Sequence, residues 1–158
     1  MTLRKFNNKN VWLFDLDNTI YPPETMIFDQ IDQRMKKYIS RKLKISELEA
    51  FKIQKKFYKK YGTTLYGLME HYKFNPEEFL DFVHKVKLKN VKKSKKLYTN
   101  IEDLPGRKII YTNGDEKYAK KILTALGIIF LFEDIYDIKK ANYLPKPRMK
   151  PLKKLLEN

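Results

Sequence analysis

The amino-acid sequence contains no cysteine, and this absence limits both its metal sites and its compartment. None of the 158 residues is a cysteine, so disulfide bonds and thiolate-bound metal sites are excluded. Such a chain needs no oxidising compartment in order to fold. We therefore expect it to be cytoplasmic.

Long apolar runs are also missing. No stretch approaches the ~20 consecutive apolar residues that a membrane-spanning helix needs. Residues 1–10 contain charged side chains and no apolar segment as long as that of a signal peptide. The sequence has no internal repeat and no linker rich in glycine and serine. We expect neither secretion, nor membrane association, nor an array of several domains.

Acidic residues are few beside basic ones. The chain has 34 lysines and arginines against 19 aspartates and glutamates, which gives a formal net charge of +15 and a pI near 9.7. A positive field attracts phosphate-bearing partners, so nucleic-acid binding is one hypothesis. Most lysines fall where a helix would face solvent, however, and only residues 92–96 form a dense basic run. We predict that this run is a surface connection and that nucleic acid is the least favoured partner.

The apolar residues predict a folded α/β protein. Hydrophobic residues make up 42% of the chain, enough at this length for one core with a small inserted unit. The short apolar run 11–14 ends in acidic and turn-forming residues, a pattern typical of a buried strand that leads into a loop. Because ligands bind outside the carboxyl ends of the strands in open α/β sheets, we expect a site to begin at Asp15.

A helical periodicity replaces the strand pattern over residues 24–86. Apolar residues recur there at steps of three and four, and capping signals divide the segment into four helices. The signals are a capping box at Ser46 and Glu49, a terminating glycine at Gly62, and an N-cap and first-turn proline at Asn75 and Pro76 of a fourth helix that reaches Val86.

The strand pattern returns after this helical segment. Residues 108–111 form an apolar strand that residues 112–114 interrupt, and Asp115 can cap the helix that follows. A third short strand is predicted at 135–138, and a last helix after Pro147. Strands that alternate with helices predict a parallel sheet, here with an inserted four-helix unit.

Two aspartates follow the first strand. Asp15 and Asp17 are separated by one residue, so their side chains point the same way where the backbone is extended. One carboxylate can attack phosphorus to form an aspartyl-phosphate, and the other can protonate the leaving oxygen and later activate water. Such a site needs a divalent cation, and Mg²⁺ with oxygen ligands is the expected one. By itself, an Asp-x-Asp pair is as typical of a turn or a helix cap as it is of a catalytic site.

The run Phe14-Asp15-Leu16-Asp17-Asn18-Thr19-Ile20-Tyr21-Pro22 resembles the first motif of the haloacid dehalogenase superfamily. The resemblance implies that Asp15 is the nucleophile and that Asp17 is the general acid and base. It also implies that Asp15 and the backbone carbonyl of Asp17 hold Mg²⁺. Asn18 and Thr19 are then expected to contact the substrate.

Two later segments look like the second and third motifs of the same superfamily. An apolar strand ends in Thr112, whose hydroxyl would then donate to a phosphate oxygen, while the amides of Asn113 and Gly114 add to the anion cradle. Leu144-Pro145-Lys146-Pro147 resembles the third motif, in which the lysine offsets the charge of the phosphate and the aspartates. Without the resemblance, the first segment is an ordinary turn before a helix, and Lys146 is one of many lysines.

A narrower resemblance, to the pyrimidine 5′-nucleotidase branch of that superfamily, extends over residues 11–151. It is carried by the segments 17–22, 61–68, 79–84 and 104–108. It implies a haloacid dehalogenase-like Rossmannoid parallel-sheet core over 1–22 and 95–158, with a four-helix cap over 23–94 inserted after the first strand. The implied substrates are small phosphomonoesters such as UMP or CMP, which the cap would select.

One part of the family pattern is absent. In relatives a fourth motif, an acidic strand end beyond the lysine, completes the metal site, but the only acid after Lys146 is Glu157. We therefore expect a core that is shortened at its C-terminus and binds Mg²⁺ more weakly. We also expect the first strand to be an exposed sheet edge that a partner or a second copy could cover. The competing hypotheses are an active phosphatase, an impaired homologue that still binds phosphate or nucleotide, and a basic nucleic-acid-binding protein.

Overall fold

The structure is a computed structural model, and it describes residues 11–156. Glu157, the one acid available for a fourth motif, lies outside the described residues. Within them the structure has three β-strands, seven α-helices and two short 3-10 helices, at Pro23–Thr25 and Ile129–Leu131. In chain order the strands and α-helices are β1 Val11–Phe14, α1 Ile27–Leu43, α2 Glu47–Tyr61, α3 Thr64–Tyr72, α4 Pro76–Val83, α5 Lys95–Glu102, β2 Arg107–Tyr111, α6 Glu116–Leu126, β3 Asp134–Tyr136 and α7 Met149–Leu156.

The three strands form one parallel sheet in the order β1-β2-β3. Phe14 pairs with Ile110, and Ile110 pairs with Ile135 on the next strand. The expected α/β class with a parallel sheet is therefore confirmed. Because parallel strands end at the same edge of a sheet, the loops that follow β1 and β2 start side by side.

The chain folds into two compact units. The first, which we call the sheet unit, runs up to Thr25 and resumes over Leu88–Asp137. Its core is formed by the strands and by the inner face of α6, where Ile122 and Leu123 are completely buried. The Trp12 indole also donates a hydrogen bond of 2.7 Å to the Pro105 carbonyl.

The second unit, the helical unit, contains Met26–Lys87 and the residues from Ile138 onward. Its centre is aromatic: the ring of Tyr38 meets Phe79 edge to face at a centroid distance of 5.4 Å. Helices α1 to α4 are the four helices that the periodicity predicts. The proposed core and cap boundaries at 1–22, 23–94 and 95–158 stay a prediction.

Three predicted elements differ from the structure. The fourth helix ends at Val83, because His84 is its C-cap, although Val86 is still buried. The predicted strand 135–138 is Asp134–Tyr136, and the Asp137 side chain instead accepts a hydrogen bond of 2.9 Å from the Glu116 amide.

The basic run 92–96 is only partly a connection, which is the third difference. The Ser94 hydroxyl accepts a hydrogen bond from the Leu97 amide at 3.2 Å, so it caps helix α5, which begins at Lys95. The helix is held to the sheet unit by Ile101, which is buried. Among residues 11–156, no helix has the length and apolar content needed to span a membrane.

Candidate active site

The loop after β1 carries the two predicted catalytic aspartates. Leu16 between them is completely buried and anchors the loop, while Asp15 is exposed and Asp17 is half-buried. The amide of Ile20 donates to the Leu16 carbonyl at 3.0 Å, which closes a tight turn. Asn18 adopts φ 55° in this turn, a left-handed conformation that asparagine tolerates better than most residues. The loop therefore holds Asp15 and Asp17 in different surroundings.

Asp15 is oriented by its own loop. The Thr19 hydroxyl donates a hydrogen bond of 2.9 Å to Asp15 Oδ2. Both side chains are exposed, so the carboxylate is accessible from solvent. Thr19 thus has a contact with the proposed nucleophile, and its role in binding substrate, like that of Asn18, stays a prediction.

Asp17 is held by two tyrosines that the sequence analysis does not single out. The Tyr21 hydroxyl lies 2.5 Å from Asp17 Oδ1, and the Tyr118 hydroxyl lies 2.7 Å from the same oxygen. The two hydroxyl oxygens are 3.0 Å apart. Tyr21 is fully buried, and Tyr118 is 2% exposed. A buried pair of phenols therefore meets one oxygen of the predicted acid and base.

Both tyrosines stay protonated across the working pH range. Burial raises the pKa of Tyr21 and of Tyr118 far above the ordinary value of 10.0, and the negative charge of Asp17 raises each pKa further. A phenol deprotonates with difficulty when it is removed from water and faces a carboxylate. The two hydroxyls are therefore hydrogen-bond donors rather than candidate bases.

The loop after β2 begins with Thr112, which is 1% exposed. Its amide donates to the Tyr136 carbonyl at 3.1 Å, and its Oγ1 accepts the Gly114 amide at 2.9 Å. The Gly114 amide is thus already engaged, and its place in an anion cradle, like that of Asn113, stays a prediction. The loop ends at Asp115, which caps α6 by accepting a 2.8 Å hydrogen bond from the Tyr118 amide.

Gly114 leaves room for one of the two tyrosines. A Cβ added there would lie 3.0 Å from Cδ1 of Tyr118 and 3.4 Å from Oγ1 of Thr112. The first distance is too short for an undisturbed contact. A residue larger than glycine would therefore require the Tyr118 ring to shift by a few tenths of an ångström.

The structure brings the first two predicted motifs together. Tyr118 lies on α6, directly after the Thr112 loop, and its hydroxyl reaches Asp17 in the loop after β1. The two loops are therefore joined by side chains as well as by the pairing of β1 with β2. Lys146 belongs to the helical unit, where its backbone carbonyl would lie 3.2 Å from a Cβ placed on Gly62. Its charge-offsetting role is implied by the motif alone and stays a prediction.

The oxygen donors of the first loop fit Mg²⁺ chemically. Two carboxylates and the Asp17 backbone carbonyl are hard ligands, and Mg²⁺ in enzymes often uses one or two carboxylates and keeps several waters. Within residues 11–156, no group of three or more histidine, aspartate or glutamate side chains is placed to hold a metal ion. Asp15 and the Asp17 backbone carbonyl are the groups of this loop that would hold Mg²⁺.

Two comparisons show which known proteins the chain is similar to. A family profile described as haloacid dehalogenase-like hydrolase matches residues 12–158. Among solved structures, the chain is similar to YfnB, a HAD-hydrolase from Bacillus subtilis whose crystal structure was determined bound to magnesium. The match has a TM-score of 0.55 at 17% sequence identity and covers 94% of this chain and 73% of that chain. At this identity the likeness concerns the fold.

Proposed function

The chain belongs to the haloacid dehalogenase-like hydrolases, and on that premise we propose that it is a Mg²⁺-dependent phosphatase of small nucleotides. The proposed reaction is the hydrolysis of a phosphomonoester through an aspartyl-phosphate on Asp15. The preferred substrates are pyrimidine 5′-monophosphates such as UMP and CMP. A cytoplasmic location fits a sequence without cysteine.

The observation that carries the proposal is the meeting of two loops at the carboxyl ends of β1 and β2. One loop supplies an exposed carboxylate at Asp15 and a second carboxylate two residues later. The other supplies the Thr112 hydroxyl, and Tyr118 connects the loops through its hydrogen bond to Asp17. A nucleophile, an acid and a hydroxyl donor at one sheet edge are the groups that phosphoryl transfer to a carboxylate requires.

The proposed reaction has two chemical steps. In the first, a carboxylate oxygen of Asp15 forms a bond to phosphorus while the bond to the leaving oxygen breaks, and the protonated Asp17 gives its proton to that oxygen. In the second, Asp17 takes a proton from water, whose oxygen bonds to phosphorus as the bond to Asp15 breaks. Asp17 is thereby returned to its acid form, and Asp15 to its carboxylate form.

The remaining groups of the proposed site interact with the substrate. Mg²⁺, when bound, supplies positive charge that lets a phosphate approach two carboxylates. The Thr112 hydroxyl still has its own proton to donate to a phosphate oxygen, because its Oγ1 is the acceptor in its bond to Gly114. The nucleotide preference rests on the resemblance of segments 61–68 and 79–84 to the pyrimidine 5′-nucleotidase branch.

Substitution of the nucleophile tests the proposal. With Mg²⁺ present, the wild type should release phosphate from UMP and from p-nitrophenyl phosphate. Asp15→Asn should lower kcat by about a thousandfold or more, because loss of a nucleophile removes the covalent route. Chelation of Mg²⁺ should have a comparable effect. Asp103→Asn is the matched control, since Asp103 is an exposed aspartate of the sheet unit outside both loops.

Three results would count against the proposal or favour another function. Wild-type turnover equal to that of Asp15→Asn would show that the chain does not hydrolyse phosphomonoesters through Asp15. Calorimetric binding of UMP or inorganic phosphate without turnover would favour an impaired homologue that only binds its ligand. Retardation of DNA or RNA at low salt, lost steeply as salt rises, would instead support a nucleic-acid-binding role for the net charge of +15.

A further inference from the structure

Building on the proposed function, we propose that Tyr21 and Tyr118 are positioning residues for Asp17. They hold its Oδ1 so that the acid proton is carried by Oδ2, the oxygen that exchanges it with the leaving group and with water. Neither tyrosine donates a proton to the substrate.

The two phenol protons make the two oxygens of the Asp17 carboxyl group unequal. Each hydroxyl carries one proton, and each lies within hydrogen-bond distance of Asp17 Oδ1, at 2.5 Å for Tyr21 and 2.7 Å for Tyr118. Two donors occupy both lone pairs of one carboxyl oxygen. A proton on the same oxygen would be repelled by the two hydroxyl hydrogens. The acid proton of Asp17 is therefore carried by Oδ2. The two phenols thereby distinguish the oxygens of an otherwise symmetric carboxyl group.

Both tyrosine rings are held rigidly in the sheet unit. Tyr21 and Tyr118 are 0% and 2% exposed, so neither ring can leave its position without opening the core of the sheet unit. The Tyr118 backbone is fixed by its amide bond to the Asp115 side chain, and its ring packs beside Gly114. A catalytic acid contributes most when neighbours hold it within a fraction of an ångström of the reacting atom. The buried pair provides that support from two different elements.

A purely structural role is the alternative. Buried hydroxyls need partners, and Asp17 is an available acceptor. The two roles differ in how they affect different substrates. If the phenols position the acid, their loss should slow departure of a leaving oxygen that needs a proton and should affect p-nitrophenolate little, because that anion leaves without help. If they only stabilise the fold, both substrates should be affected alike.

The experiment compares Tyr21→Phe and Tyr118→Phe on UMP and on p-nitrophenyl phosphate with Mg²⁺. We compare kcat/KM, because it reports the steps up to departure of the leaving group. For UMP it should fall by about tenfold to a hundredfold, part of the full contribution of an acid. For p-nitrophenyl phosphate it should change less than about threefold, since little acid catalysis is needed there. Tyr98→Phe, which removes a hydroxyl bonded to Glu102 at 2.8 Å in the same unit, is the control and should leave both values unchanged.

A second measurement does not depend on turnover. Urea unfolding of Tyr21→Phe, of Asp17→Ala and of the double variant gives a double-mutant cycle in the free energy of unfolding. The losses of stability in the two single variants should not add in the double variant, because both substitutions remove the same hydrogen bond. Phenylalanine keeps the buried ring, so circular dichroism should show folded variants. Additive losses, or equal falls in kcat/KM for both substrates, would overturn the positioning role while phosphatase activity still stood. Absence of wild-type turnover would overturn the proposed function and this inference with it.

Discussion

Gly67 shows how a single missing side chain sets the packing of two helices in the helical unit. A Cβ at this position would lie 2.4 Å from Cγ of Phe57, whose ring is buried against α3. Alanine gains about 1 kcal/mol over glycine in helix propensity, but overpacking of a core costs about 1–3 kcal/mol. At so short a distance the packing term should dominate. Gly67→Ala should therefore lower the free energy of unfolding by about 1–2 kcal/mol.

Urea unfolding followed by circular dichroism measures this effect. Glu70→Ala, an exposed position in the same helix, is the matched control and should change stability by less than about 0.5 kcal/mol. A Gly67→Ala protein that is as stable as the wild type would mean that the Phe57 ring can move aside without loss.

The sequence indicates some site residues and cannot indicate others. The positions of Asp15 and Thr112 are predictable, because each directly follows a short apolar strand and parallel strands end at one edge of the sheet. Tyr118 is not, because 101 residues separate it from Asp17 and helical periodicity marks it only as a core position. Tyr21 lies four residues after Asp17, a spacing that allows contact only if the loop closes into a helical turn. That closure is made by the hydrogen bond from the Ile20 amide to the Leu16 carbonyl, which local pattern does not reveal.

Helix α2 starts at a capping box that links sequence directly to stability. The Ser46 hydroxyl accepts the Glu49 amide at 3.2 Å, and Glu49 Oε2 accepts the Ser46 amide at 3.0 Å. Ser46→Ala removes the first of these bonds and should lower the free energy of unfolding by about 1 kcal/mol. Leu48→Ala, at an exposed position in the first turn, should have little effect and serves as the control. A Ser46→Ala protein with unchanged stability would show that water replaces this cap at no cost.

The same cap makes the stability of α2 depend on pH. The hydrogen bonds from the Ser46 side chain and backbone hold the pKa of Glu49 below its ordinary value of 4.5. A carboxylate whose pKa is lowered in the folded state stabilises the fold above its unfolded pKa, and that contribution is lost as pH falls through the folded pKa. The difference in stability between the wild type and Ser46→Ala should therefore be full at neutral pH and shrink below pH 4.5. Urea unfolding of both proteins at neutral pH and below pH 4.5 measures this difference. A difference in stability that is the same at both pH values would show that the Glu49 charge plays no part.

The predictability of the elements follows from how local their signals are. Ser46 and Asn75 mark helix starts because their caps lie within three residues in sequence. Helix α5 is not predicted, because the surrounding lysines hide a short amphipathic segment that is capped by Ser94 and held by Ile101. Strand β3 is shorter than its apolar pattern, since Asp137 turns to the N-terminus of α6. Elements that depend on distant partners are the ones that the pattern misplaces.

At the level of the whole molecule, the sequence predicts the layers but not their grouping. Alternating strand and helix periods predict the parallel sheet and the four inserted helices, and both are present. The grouping of residues from Ile138 onward with the helices depends on tertiary packing, for example that of the Lys146 carbonyl beside Gly62. No periodicity encodes such an approach.

Within residues 11–156, β1 pairs only with β2 and is an edge strand, and we propose that copies of the chain pair along it. A strand at the edge of a sheet can pair with a strand of a second copy, while the net charge of +15 holds copies apart. Salt should therefore increase self-association, because the screening length falls from about 10 Å at 0.1 M to about 3 Å at 1 M. Val11→Lys places a charge on the β1 edge and should keep the protein monomeric in sedimentation velocity at high salt. Thr124→Lys is the control, because it adds the same charge on the exposed face of α6 and should leave self-association at high salt unchanged. Equal sedimentation of both variants and the wild type would exclude pairing through β1.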